Sequence, residues 1–267
     1  MSSHDIDVVI PFCQSDSHLV VDAITSILIQ IGVKPLIHVI ADNCDIPESL
    51  PSKPCIHYYK TFNNLGPGRI ANAIAAHHAS TPFMALQDAD DIAHSNRLVL
   101  QLSKLHDGYE QVSGAMIQQA LPGYRGSRHI DEPLLKCGGK WGNVPKGRLI
   151  NSVRAVSLNM FKRVNGFPNL MCSQDLAFDN VTAFLEIPTY CFDIPLAIRR
   201  LHPDSITNGP HFTRDPQSGG REILRLQRLM LQQLKDSPTY ETAFNQGCLD
   251  KAEPLCQVVD SYSKVNA

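Results

Sequence analysis

The sequence predicts an α/β fold, a mainly parallel sheet with flanking helices, and three observations carry that prediction. Short apolar runs alternate along the first hundred or so residues with segments whose apolar positions recur at helical spacing, the pattern that builds parallel sheets. Three of those runs end in polar loops, after Phe12, after Ala41 and after Leu86. Open α/β sheets bind their ligands at the C-terminal tips of the strands, and the third of these tips is acidic, Gln87-Asp88-Ala89-Asp90-Asp91.

Residues 7–12 read as the first buried strand, ending at Pro11-Phe12, followed by the polar loop Cys13-Gln14-Ser15-Asp16. From Ser17 the apolar positions Val20, Ala23, Ile24, Ile27, Leu28 and Ile31 recur at helical spacing, with Asp16 or Ser17 as N-cap and Gly32 as the stop. A second strand is expected over 36–41 and a third over 55–60, followed by a helix over 69–79 with Pro67 just ahead of it, where proline is tolerated. The acid-tipped strand covers 82–86, and a helix over 96–105 turns Leu98, Leu102 and Leu105 inward.

The second half is less periodic. A strand is expected over 112–119, and then 122–146 is a long stretch rich in Gly, Pro, Lys and Arg, of the kind that is usually functional. Residues 151–164 run into a helix stop at Asn165-Gly166-Phe167-Pro168, a helix starts near Ser173, and two strands cover 189–193 and 196–201. An amphipathic helix over 221–234 offers an apolar face to the core, to a second copy in a homodimer, or peripherally to a membrane; the core is the expectation. Beyond Pro238 no order is legible.

With 267 residues, 43% of them hydrophobic, the chain can bury a substantial core. A formal net charge of -2 argues against nucleic-acid binding by bulk electrostatics, so a phosphate partner must be held locally. Eight scattered cysteines form no CxxC pair and read as buried free thiols of a reducing compartment. The first residues, Met1-Ser2-Ser3-His4-Asp5, lack the basic and apolar regions of a signal peptide, and no window is long enough to span a bilayer; a cytoplasmic location is the expectation.

Clustered carboxylates repel and desolvate badly unless a cation or hydrogen-bond donors relieve them. For Asp88, Asp90 and Asp91 a hard divalent cation is one answer, and a helix-capping role near Ser95 or Asn96 is the competing one. Neither GxGxxG nor GxxxxGK[ST] is present, so no glycine-rich loop grips a phosphate, which favours the cation.

The motifs then fall in a recognisable order. They are the first strand ending in Pro11-Phe12, Asp42 at the second tip, Asn64-Leu65-Gly66 with Asn72, and Asp88-Ala89-Asp90-Asp91 with Arg97. Gly166-Phe167, Gln174-Asp175 and the run from Arg200 through His202 and Ser205 to Thr207 follow. As a set they resemble the GT-A glycosyltransferases of the family 2 type, inverting and nucleotide-sugar dependent. Three segments depart from that pattern: Asn43-Cys44-Asp45 after Asp42, Gln174 in place of a glutamate, and Ile70-Ala71 ahead of Asn72, with the arginine earlier at Arg69.

The resemblance implies a GT-A fold over 1–215, with a donor half (1–110) and an acceptor half (111–215), followed by a C-terminal helix and tail (216–267). It implies transfer of a sugar, a hexose, from a nucleotide diphosphate donor such as a UDP-sugar to a hydroxyl acceptor on a sugar, lipid-linked sugar or protein, with Mn²⁺ or Mg²⁺ as cofactor. Asp175 is then the base, although an acid at a helix start also suits the macrodipole. Asp90 and His202 are the metal ligands; an isolated histidine is also common as a structural residue. Pro11, Phe12, Gln14, Asp42, Asn64, Arg69, Gln87, Asp88 and Ala89 face the donor, with Arg69 equally readable as a helix-surface charge. Asp91 is a structural cap. Lys140, Trp141, the only tryptophan, and Gln174 face the acceptor, with core packing the rival role for the indole. A sugar nucleotidyltransferase, a DxD phosphatase and a non-catalytic nucleotide-sugar-binding protein are the rival readings.

Overall fold

The structure is a computed structural model that describes residues 4–124, 134–135, 149–170, 174–205 and 220–258. The described strands are β1 (Ile6–Phe12), β2 (Pro35–Asp42), β3 (Ile56–Thr61), β4 (Phe83–Leu86), β5 (Ile92–Ala93), β6 (Gln111–Ala120), β7 (Leu134–Leu135), β8 (Ala155–Ser157), β9 (Thr189–Leu201) and β10 (Cys256–Gln257). They form one sheet in the order β10-β3-β2-β1-β4-β8-β6-β9-β5, with β7 on β6. The run β3-β2-β1-β4 is parallel, β8 is antiparallel to both neighbours, and β6 and β9 are again parallel. The described helices are α1 (Val20–Leu28), α2 (Pro67–Ala73), α3 (Arg97–His106), α4 (Leu158–Arg163), α5 (Gln174–Phe184), α6 (Gly220–Asp236) and α7 (Tyr240–Phe244). This is the mixed α/β, mostly parallel GT-A architecture.

Strand alternation sorts the core onto two faces. Val8, Ile10 and Phe12 of β1 pack with Val20, Ile24 and Ile27 of α1 and with Leu98 and Leu102 of α3. Val9 points the other way, into a cluster with Ile70 of α2, Phe161 of α4 and Phe178 of α5. Helices therefore cover both faces, and polar chemistry is left to the strand ends.

Several elements differ from expectation. Helix α1 begins at Val20 after a 3-10 turn over Gln14–Asp16, so neither Asp16 nor Ser17 is its N-cap. The expected break between two strands at 194–195 is absorbed inside β9: the register against β6 shifts at Ala115, opposite Pro195, and the bulge accommodates a residue that cannot donate to the ladder. The segment 151–164 is a short turn, β8 and α4, with the Ser157 hydroxyl accepting from the Met160 N–H. Helix α2 continues as a wider π turn over Ile74–His78. The described part of the C-terminal segment is structured: α6 packs against α5, and β10 adds antiparallel to the sheet edge at β3. Among the described residues Cys13, Cys44, Cys55, Cys191, Cys248 and Cys256 are free thiols, but only Cys44 is buried as expected; Cys256 is exposed and the others are half-buried.

Candidate active site

The chain leaves β4 at Leu86 in a loop that a buried arginine braces from below. Arg97, 0% exposed on the first turn of α3, donates to the Gln87 Oε1 and to the Leu86 carbonyl, both at 2.6 Å. Gln87 in turn donates from Nε2 to the carbonyls of Asp88 (2.9 Å) and Asp91 (3.0 Å). Both ends of Gln87 are thus committed to shaping the acid loop. Burial lowers the Arg97 guanidinium to about 10 against the upward pull of Asp88 and Asp91.

A second arginine ties this loop to two other elements. Arg200, near the end of β9, donates to the carbonyls of Asp90, Ala89 (3.5 Å) and Leu19 (2.9 Å) and pairs with Asp22 of α1 at 2.6 Å. The backbone N–H of Arg200 donates to Asp91 Oδ1 at 3.2 Å. Asp91, 2% exposed, is therefore structural, but it fastens β9 instead of capping α3, whose N-cap position is Asn96.

This bracing assembles the mouth. His202, just past β9, lies with its Nε2 3.2 Å from Asp90 Oδ2 and 4.0 Å from Asp16 Oδ1. Ligand atoms of Asp16, Asp90 and His202 all lie within 4.8 Å of one another, as do those of Asp88, Asp90 and Asp91. Asp16 is held from its own loop, by the Cys13 thiol at 3.2 Å on Oδ2 and the Ser15 hydroxyl at 3.0 Å on Oδ1. Sequence reasoning missed Asp16, because a polar loop ahead of a helix looks like a cap; its place beside Asp90 depends on the Arg200 staple.

The electrostatics are those of a site short of positive charge. Burial, then Asp90, raises the Asp88 carboxyl to about 7, with Asp175 and Asp16 among the charges that add to it and Arg199 opposing. Burial pushes Asp91 well above the ordinary carboxylate range, and burial with the Asp90 charge raises Asp16. The hydrogen bond to Asp90 raises the His202 imidazole. Two carboxylates and an imidazole suit Mn²⁺, and the all-oxygen set suits Mn²⁺ or Mg²⁺, so the residues fit the implied cation.

Asp175 sits in the first turn of α5, 5% exposed. Its position is set by contact between α5 and α2: a Cβ on Gly68 would come within 2.8 Å of Gln174 Cγ. Behind it, Asn72 clamps the backbone of Phe167, donating to its carbonyl at 2.9 Å and accepting from its N–H at 2.8 Å. Gly166 has φ +65, and a Cβ there would meet Asn72 Oδ1 at 2.3 Å, so only glycine suits this approach. Gln174 is buried, its Oε1 without a partner among the described residues.

The remaining expected donor residues are spread unevenly. Pro11 is partly exposed and Gln14 exposed at the tip of β1, whereas the Phe12 ring is 2% exposed in the core, leaving only its backbone for a ligand. Ala89 is buried within the acid loop. Asp42 spends its oxygens on the loop after β3, accepting from the Leu65 N–H and the Gly66 N–H, both at 2.8 Å, and from the Thr61 hydroxyl at 2.8 Å. Asn64 is exposed on the same loop. Arg69 lines a separate cavity whose walls include none of the mouth acids. Lys140 and Trp141 lie outside the described residues.

No protein-family model matches the chain, and no curated protein matches it by sequence. Solved structures do match. TarS 1-349 from S. aureus in complex with UDP-GlcNAc superposes with a TM-score of 0.59 at 14% identity, over 90% of this chain and 69% of that one. TarS 1-349 with UDP gives 0.53 at 16% identity, over 74% of this chain and 61% of that one. The mannosyltransferase PcManGT from Pyrobaculum calidifontis, in complex with GDP-Man and Mn²⁺, gives 0.51 at 15% identity, over 89% and 67%. At these identities the likeness shows the fold, which is that of GT-A glycosyltransferases, and the chain spans only part of the length of each.

Proposed function

We propose that this chain is an inverting, metal-dependent glycosyltransferase that moves a hexosyl group from a nucleotide diphosphate donor, a UDP-sugar, to a hydroxyl acceptor. The observation that carries the reading is the convergence, at one mouth of a GT-A sheet, of Asp88, Asp90 and His202 with the charge of Asp175 beside them. That the structural neighbours bind UDP, UDP-GlcNAc or GDP-Man supports it.

In this reading Asp90 and His202 hold Mn²⁺ or Mg²⁺, which when bound offsets the charge of the departing diphosphate. Asp88, with Pro11, Gln14 and the backbone of Phe12 and Ala89, orients the donor. Asp175 accepts the proton of the acceptor hydroxyl as that oxygen attacks the anomeric carbon from the face opposite the nucleotide, which inverts the centre. Arg97 and Arg200 keep the acid loop from relaxing away from its own repulsion. Gln174 flanks the base on the acceptor side.

A panel of nucleotide sugars with Mn²⁺, followed by thermal shift and by donor hydrolysis, tests the proposal. One UDP-sugar is expected to stabilise the protein in a metal-dependent way, and Asp90→Ala to abolish that stabilisation; stabilisation that persists in the variant removes Asp90 from the metal. Asp175→Asn is expected to bind donor normally while transfer falls by roughly 10²–10⁴-fold. An unchanged transfer rate would show that the base lies elsewhere, and donor binding without turnover for any acceptor would leave a binding protein.

A further inference from the structure

The cavity onto which Arg69 opens has a volume of about 520 Å³ and lies between α2, the loop after β3 and the C-terminal segment that runs into β10. That size is typical of small-molecule sites. Its chemistry is mixed. Leu65 and Leu255 give it apolar wall, Asn63 and Asn169 bring amides, and Arg69, Lys251 and Glu253 bring charge. Phe62, 76% exposed, stands among its lining residues as an uncovered aromatic.

Two of the cations are uncommitted. The Nε of Arg69 is buried and has no hydrogen-bond partner among the described residues, and a buried polar hydrogen left unanswered is costly. Neither Arg69 nor Lys251 has an ion-pair partner among the described residues. Lys60, also in the wall, is different, since Asp45 holds it at 2.6 Å. Against the Glu253 carboxylate, Arg69 and Lys251 leave a single positive charge facing the cavity.

We propose that this cavity is a second ligand site, separate from the acid mouth, for a small organic molecule that carries one carboxylate on a hydroxylated body. A guanidinium recognises a planar carboxylate through paired N–H donors, and the terminal nitrogens of Arg69, which have no partner among the described residues, are the ones a ligand can reach. The lone excess charge matches a monoanion and disfavours a dianion. The amides of Asn63 and Asn169 and the Glu253 carboxylate offer hydrogen bonds to hydroxyl groups. One wall of the site belongs to the donor half itself: Thr61 and Leu65 line the cavity, and Asp42 grips that loop from the tip of β2.

D-Glucuronate serves as probe and D-glucose as its neutral counterpart, titrated by calorimetry and saturation-transfer NMR into the full chain. Glucuronate is expected to bind and glucose to bind at least about tenfold more weakly, the loss of a charge-assisted hydrogen bond. Arg69→Gln should weaken glucuronate by a similar factor, surface Lys251→Gln by less, and Glu253→Gln should tighten it. Asp90→Ala, which alters only the mouth, should leave it unchanged. Equal affinity for the two sugars, no binding of glucuronate, retention of full affinity in both Arg69→Gln and Lys251→Gln, or loss in Asp90→Ala would each overturn the proposal. Because the Asp90→Ala arm is also the test of the metal site, failure of the transferase reading and failure of this one give different results.

Discussion

Toward the N-terminal ends of β1, β2 and β3 one carboxylate, Asp7, is completely buried and fully answered. His38 Nε2 lies 2.7 Å from its Oδ1, and Oδ2 accepts from the Thr81 hydroxyl (2.7 Å), the Thr81 N–H (2.8 Å) and the Ser80 N–H (3.1 Å). His38 Nδ1 is in turn 3.0 Å from the Tyr59 hydroxyl. Burial alone would raise the Asp7 carboxyl, but the bonds from His38 and Thr81 outweigh it and hold it below the ordinary range. At the C-terminal ends of the same sheet, Asp16, Asp88 and Asp91 are all raised, because burial and neighbouring carboxylates act without enough donors to offset them. One end spends its charge on holding strands together. The other keeps charge unspent, which is the condition for binding a cation and a diphosphate.

Removing each end's central carboxylate separates these roles. Asp7→Ala leaves a buried histidine and several donors stranded and is expected to cost about 3–5 kcal/mol in urea unfolding, while Mn²⁺ affinity stays unchanged. A cost below about 1 kcal/mol would put the two ends on the same footing. Asn72→Ala tests a neutral brace between them: it strands the N–H and carbonyl of Phe167 and is expected to cost about 2–3 kcal/mol, with a fall in transfer rate because the Phe167 turn leads toward α5.

The smallest expected effect has the opposite sign. Folding raises the Asp88 carboxyl from 3.8 to about 7, so the folded chain retains a proton that the unfolded chain releases. Its contribution to stability is complete below about pH 4 and is lost as pH rises to about 7. Asp7 acts in the other direction, contributing above the ordinary carboxylate range and losing that contribution only in acid. Asp88→Asn should therefore flatten the decline between about pH 4 and 7 and stabilise the metal-free protein at pH 8. A metal-free stability curve that is unchanged by the substitution would mean that the acid loop relaxes and the contrast between the two ends is smaller than the geometry implies.

Much of this was legible along the chain. The alternating strands and helices of the first half, the acid tip after Leu86 and the motif around Arg200 and His202 are local patterns, and local patterns survive folding. The backbone partners of Asp42 and Gln87 were not legible for one reason: a polar residue at a strand tip looks the same whether its partner is a ligand or the protein's own backbone. The surroundings of Arg69 were not legible because helical spacing gives a residue's angle around α2 but not what stands opposite, which is a segment nearly two hundred residues later. The break expected at Pro195 is real chemistry, yet β6 supplies a bulge that absorbs it.

By itself the sequence determined the α/β class, the strands of the parallel half and the presence of clustered acids at a strand tip, because hydrophobic periodicity and turn chemistry act over a few residues. Only the tertiary structure decided which acids meet. Asp16 reaches Asp90 and His202 because Arg200 staples α1, the acid loop and β9 together, and Asp7 reaches His38 because β1 and β2 are neighbours in register. Charges act across space and not along the chain, so their partners, and with them the difference between a structural carboxylate and one left available for binding, exist only once the sheet has formed.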